Sequence, residues 1–146
     1  MSMFTEMLEK VSRTFALSIR HLPEILREPV SLSYLLFRVS DCLEDHAEML
    51  ADRKISLLEE WNCVLQGITP PLEFVRNIAD LDHHDPEVYV AQRAPDLIAA
   101  LHDVPDDLRF PIISRVSEST LGMARWQEQG PFVATLKEMD DYMYHV

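Results

Sequence analysis

The chain has 146 residues, of which 47% are apolar, with 3 glycines and 9 prolines. This is enough for one domain with a real core, expected to span residues 1–146, and the composition points to helices separated by proline-marked corners rather than to sheets. A formal charge of -12, from 13 Lys plus Arg against 25 Asp plus Glu, argues against a nucleic-acid binder, because phosphate backbones attract basic surfaces. The two cysteines, Cys42 and Cys63, have no CxxC or Cys/His spacing, so neither a disulfide framework nor a zinc site is expected, and a reducing cytoplasm fits them best. No apolar run approaches a membrane span, and the N-terminus lacks the basic-then-apolar order of a signal peptide.

In chain order, Phe4, Leu8, Val11, Phe15 and Ile19 recur at spacings of three and four, which predicts a first helix from near Ser2 to His21. Pro23 marks a break and opens a short helical turn. Pro29 suits the first turn of the next helix, which ends between His46 and Met49. A third helix from about Asp52 to Leu65 stops at Gly67. Residues 76–86 are irregular and polar, and read as the mobile loop of the chain. Two further helical stretches, 87–103 and 106–128, carry Pro95 and Pro111, each expected to bend or split its helix. Thr135, with Glu138 three residues on, predicts the cap of a last helix. The fold class is all-α.

Residues 34–45 put three acids and an arginine inside one of the most apolar stretches. On a helix, Tyr34, Arg38, Asp41 and Asp45 share one face, with Glu44 beside the last two. Leu35, Leu36, Phe37, Val39 and Leu43 surround them with apolar surface, so the helix should be packed on several sides. Carboxylates crowded there repel one another and lose hydration, and a hard cation bridging to a phosphate removes both penalties. The alternative is a solvated acidic face in which Arg38 merely pairs with Asp41. Ser12-Arg13-Thr14-Phe15 alone reads as part of an amphipathic helix with Phe15 inward. The pair His83-His84, flanked by Asp82 and Asp85, has ligand chemistry, but adjacent side chains on a loop rarely converge on one ion. Met123, Trp126 and Met143 read as core. With no glycine-rich phosphate loop, GxSxG or Walker lysine, metal-assisted handling of a phosphorylated ligand beside an apolar cavity remains, and diphosphate ionisation fits that pairing.

The chain resembles the squalene and phytoene synthases, which join two prenyl diphosphates head to head. The likeness rests on Ser12-Arg13-Thr14-Phe15 followed by Leu22-Pro23, on Tyr34 to Arg38 running into Asp41-Cys-Leu-Glu44-Asp45, on Gly122-Met123-Ala124, and on Asp141 to Val146. The resemblance implies the all-α isoprenoid synthase bundle, here its N-terminal half. It implies Mg²⁺ held by Asp41, Glu44 and Asp45, and diphosphate contacts or a place near the nicotinamide nucleotide for Arg13, Thr14, Tyr34 and Arg38. Ser12 belongs to the same motif, while Phe15, Met123 and Ala124 are expected to line the prenyl channel. Tyr34, Arg38, Tyr142 and Tyr144 form the implied catalytic set. The implied substrate is farnesyl or geranylgeranyl diphosphate. It is captured as a cyclopropylcarbinyl diphosphate that rearranges to a C30 or C40 hydrocarbon, with NADPH used only by the reductive members. A lipid-like substrate of this kind also draws an otherwise soluble protein towards membranes.

His145 stands where many relatives have a tyrosine, with Tyr142 and Tyr144 nearby. The sequence also carries one acid-rich motif where family members carry two. The expectation is therefore an incomplete synthase, with the rival of a non-catalytic helical subunit that dimerises or pairs with a second chain through an apolar face left uncovered.

Overall fold

The computed structural model describes residues 3–129 and Met143, all of them helix, turn or irregular. Thr135, Tyr142, Tyr144 and His145 lie outside the described residues. The helices are α1 (Met3–Val11), α2 (Arg13–Ile19), α3 (Glu24–Asp45), α4 (Ala51–Leu65), α5 (Pro71–Asn77), α6 (Pro86–Ala91), α7 (Ala94–Asp103) and α8 (Asp106–Gln129). The all-α class expected from composition and from the family resemblance is thus observed.

Five departures from the predicted boundaries have local causes. The first helix is two, because Ser12 takes an extended conformation (φ -163°, ψ 101°) and its hydroxyl accepts a hydrogen bond from the Phe15 backbone amide at 3.1 Å. Ser12 is thus the N-cap of α2 rather than a residue inside a longer helix. α3 begins before Pro29, with Pro23 at its N-cap position, and runs unbroken through Pro29 in its second turn. The proline forfeits one backbone bond near the start of a 22-residue helix, a loss that the packing farther along outweighs. The predicted 87–103 stretch divides into α6 and α7 at Gln92 and Arg93, so that Pro95 falls in the first turn of α7. Pro111, by contrast, lies inside a continuous α8. The segment read as a loop is anchored: α5 takes up its start, Ile78 and Leu81 are buried, and the Gln92 side-chain amide donates to the carbonyls of both, at 3.2 and 3.4 Å. Arg53 adds a forked pair with Asp80 at 2.6 and 3.0 Å.

The stop after α4 is as predicted, and its chemistry is visible. Gly67 has φ 78°, and Ile68 N–H donates to Cys63 O at 2.8 Å, closing the helix end with the left-handed residue that only glycine adopts without strain.

α3 is the central helix. It packs against α1, α2, α4, α6, α7 and α8, and Leu32, Leu35, Leu36, Val39 and Leu43 are fully buried. α8 lies along α4. The join of α8 with α3 carries a buried hydroxyl relay, in which Thr120 Oγ1 donates to Val116 O at 2.7 Å. The Thr120 proton is thereby committed, so Ser40 on α3 is the donor in the 2.7 Å contact between the two hydroxyls. Trp61 on α4 meets Phe74 on α5 with ring centroids 5.1 Å apart, both with no exposed surface.

Candidate functional site

The apolar girth of α3 fixes which way its polar face points. With Leu35, Leu36, Val39 and Leu43 committed to the core, Tyr34, Arg38, Asp41 and Asp45 are left on the face that meets α2 and α6. Tyr34 stacks on Phe15 of α2 with centroids 3.9 Å apart and planes 13° apart. The Arg38 guanidinium lies 6.0 Å from the Tyr34 ring centroid. Arg38 Nη1 then donates to Asp41 Oδ2 at 3.4 Å, and Nη2 donates to Glu87 of α6. Arg38 Nε is buried and has no hydrogen-bond partner. An aromatic pair thus leads directly to a cation, and the cation to carboxylates.

Those carboxylates are electrostatically strained. Burial pushes Asp41 above the usual range; Arg38 opposes this and Asp45 adds to it. Glu44 rises to about 7, through burial first and then through Asp45 and Asp41, with Lys54 opposing. Glu87 is raised too, by burial above all, although it is paired with Arg38. Lost hydration therefore outweighs the attraction of the arginine at both of its partners. Glu44 and Asp45 also occupy the last turn of α3, which has no basic residue, and so face the negative end of the helix dipole. Every one of these penalties falls if positive charge is added.

Asp45, His46 and Cys42 line a cleft of about 380 Å³ with Asp82, Asp85 and Glu87. Glu87 was not singled out in the sequence, and Asp85 was noted only beside the His83-His84 pair. Asp85-Pro86 carries a helix-start signal, and Asp85 indeed caps α6 by accepting from the Glu87 amide at 2.9 Å. Nothing local in the sequence says that this helix start faces residue 38.

The other predicted site residues are distributed unevenly. Ser12 is half-buried and engaged as a cap, and Phe15 is half-buried against Tyr34. Arg13 and Thr14 are exposed and line a separate open cleft with Glu9 and Arg20. Met123 and Ala124 are buried in α8, as is Trp126. Met143, expected in the core, is 73% exposed; spacing alone did not assign it to a buried face.

Asp41, Glu44 and Asp45 are hard oxygen donors, and Glu44 Oε2 is buried with no hydrogen-bond partner. The donor chemistry fits a hard divalent cation. The three do not close on one point: among the described residues, the one group of three whose ligand atoms come within 4.8 Å of one another is Asp82, His83 and His84. This convergence is contrary to expectation and has a local cause. The Asp82 carboxylate accepts from the His84 amide at 2.9 Å and lies 3.0 Å from His84 Nδ1, an Asx turn that folds the loop on itself. All three are exposed, so the turn alone accounts for them.

The family model described as squalene/phytoene synthase matches residues 8–146. The chain belongs to that family. It is 28% identical to the squalene synthase of Yarrowia lipolytica over 145 residues, 97% of this chain and 31% of that protein. Over 56 residues, 38% of this chain and 12% of the relative, it is 45% identical to squalene synthase LSS of Botryococcus braunii. A presqualene diphosphate synthase of the same alga is 25% identical over 139 residues, 95% of this chain and 32% of its own length. The chain therefore spans about a third of the length of the curated relatives that it matches from end to end. No described helix is long and apolar enough to cross a membrane.

Proposed function

We propose that this chain carries the first diphosphate-handling half-site of a Mg²⁺-dependent head-to-head prenyltransferase. The observation that carries the reading is the continuous arrangement of Phe15, Tyr34, Arg38 and Asp41, an aromatic wall leading to a cation and then to carboxylates. Asp41, Glu44 and Asp45 would hold the metal. When bound, Mg²⁺ neutralises charge on a leaving diphosphate. The chain's own groups do the rest. Arg38 offers a guanidinium to phosphate oxygens, and Arg13 and Thr14, exposed at the start of α2, would add further donors. The stacked faces of Phe15 and Tyr34, with buried Met123 and Ala124 farther along, keep water from a hydrocarbon cation. The substrate in this reading is farnesyl or geranylgeranyl diphosphate, and the setting is the cytoplasm with peripheral contact to a membrane. Tyr142 and Tyr144 complete the catalytic set.

The test is thermal unfolding in Mg²⁺ with and without a non-hydrolysable farnesyl diphosphate analogue. The expected result is a rise in midpoint that needs both metal and analogue and vanishes in Asp41→Asn. A rise of equal size in Asp41→Asn removes the carboxylate from the site.

A second reading, assembly with another copy through an uncovered face, is favoured by Phe110 and Leu121, which are 61% and 46% exposed on α8. They lie eleven residues apart and so on one side of the helix. A monomer by sedimentation at concentrations well above those used for binding excludes it.

A further inference from the structure

Arg38 is the cation best placed to meet a phosphate, yet the fold does not leave it open. Of its two terminal nitrogens, Nη1 reaches Asp41 and Nη2 reaches Glu87, forty-nine residues away on α6. Nε is buried and unpartnered. A phosphate needs two parallel donors on the guanidinium to bind in the forked manner that makes arginine effective, so at least one carboxylate has to leave. Asp41 has somewhere to go, since it is among the groups that turn to the metal. Among the described residues Glu87 has no second cationic partner to turn to: it belongs to the facing helix, beside Asp85 and across from Asp41 and Asp45, all negative.

α6 itself is not free to swing away. Val88, Val90 and Ala91 are fully buried, and Tyr89 is held from outside. Its hydroxyl donates to Glu6 at 3.3 Å, while Arg93 and Lys10 lie 3.3 and 4.4 Å from its ring centroid. The Glu87 side chain is different. It is 29% exposed, at the first turn of the helix, on the rim of the cleft of about 380 Å³. The backbone is fixed and the carboxylate is free to rotate into water.

We infer that Glu87 is a built-in competitor for Arg38. In the ligand-free chain its carboxylate occupies the position of a phosphate oxygen, and diphosphate binds by displacing the side chain while α6 stays in place. This deepens the proposed function and rests on the reading of Arg38 as a diphosphate ligand. The contact has two effects. It keeps a half-buried guanidinium paired while no ligand is present, which limits the cost of burying it. It also sets a threshold, because an anion that cannot replace a carboxylate at Arg38, a single weakly held phosphate for example, gains nothing.

The experiment is calorimetric titration of the chain with inorganic diphosphate in Mg²⁺, using Glu87→Gln, Glu87→Asp, Asp85→Asn and Arg38→Gln. Removing the competitor is expected to tighten binding about fivefold in Glu87→Gln, the most that an exposed to half-exposed ion pair usually contributes. Glu87→Asp keeps the charge but draws the carboxylate back by one methylene. It should gain as well, because contact rather than net charge is the obstacle. The rise in thermal midpoint produced by saturating diphosphate should be larger in Glu87→Gln than in wild type, a ligand-dependent gain that a purely structural residue does not produce. Equal gains in Glu87→Gln and Asp85→Asn, with none in Glu87→Asp, reduce the effect to general electrostatics and overturn the inference. Binding that depends on Arg38 but is unchanged or weakened in Glu87→Gln overturns it as well and leaves the site standing. Binding that is absent, or indifferent to Arg38→Gln, sinks both.

Discussion

Two sides of α3 treat side chains in opposite ways. Where α4 meets α5, Trp61 and Phe74 pack with planes tilted by 32° and no exposed surface, and where α3 meets α8 the buried hydroxyls of Ser40 and Thr120 pass a single chain of hydrogen bonds to Val116 O. Where α3 meets α6, burial raises three carboxylates at once, and one arginine serves two of them. The first region is complete in the folded chain. In the second, added positive charge would relieve the raised carboxylates, and the same helix, α3, runs through both. A rigid core on one side of α3 is what lets an uncomfortable arrangement persist on the other.

The largest expected effect breaks the comfortable side. Trp61→Ala removes the largest of the fully buried side chains and should cost about 3–5 kcal/mol in chemical denaturation. Trp61 Nε1 is buried without a hydrogen-bond partner. Trp61→Phe, which removes that orphan along with some volume, should therefore be markedly less harmful than volume alone predicts. Equal losses in the two variants would mean that the indole nitrogen is satisfied after all.

A smaller effect tests the hydroxyl relay. Thr120→Val keeps the shape and deletes the acceptor that Ser40 uses, leaving a fully buried hydroxyl unpaired, for a cost of about 1–3 kcal/mol. Ser40→Ala should be the milder change, because Thr120 keeps its bond to Val116 O. The order of the two in urea midpoints is the readout, and the reverse order contradicts the assigned donor direction.

How much of this could be read in advance differs between the two sides for a physical reason. The stop at Gly67, the existence of α3 and α8 and the burial of Leu35, Leu36, Val39 and Leu43 follow from periodicity and backbone chemistry, which are local. So does the sharing of one face by Tyr34, Arg38, Asp41 and Asp45. The break at Ser12 was missed because apolar spacing continues smoothly across it, while a single hydroxyl ends one helix and starts the next. The anchored segment around Ile78 was missed because its fixed points, Gln92 and Arg53, are distant in sequence. Glu87 is the extreme case: its meeting with Arg38 is set by how α6 crosses α3, and no spacing rule reports that. The site's near side was legible, and its far side waited for the fold.

The finest test acts on the acidic end alone. Burial, Asp45 and Asp41 hold Glu44 at about 7 against an ordinary 4.5, so the folded chain binds this proton more tightly than the unfolded one. Its contribution to stability is then complete below about pH 4.5 and is lost as the pH rises through about 7. Glu44→Gln is neutral throughout and keeps what the acid loses. Relative to wild type it should gain on the order of 1 kcal/mol between about pH 4.5 and pH 8, a figure reduced for partial solvent access. Hydrogen bonding or packing changes introduced by the amide shift stability by the same amount at every pH. A constant difference between the two proteins would therefore show that Glu44 is ordinary, and the acidic end would be no more strained than the core. A difference that grows with pH, and shrinks when Mg²⁺ and diphosphate are added at high pH, identifies the strain and what relieves it.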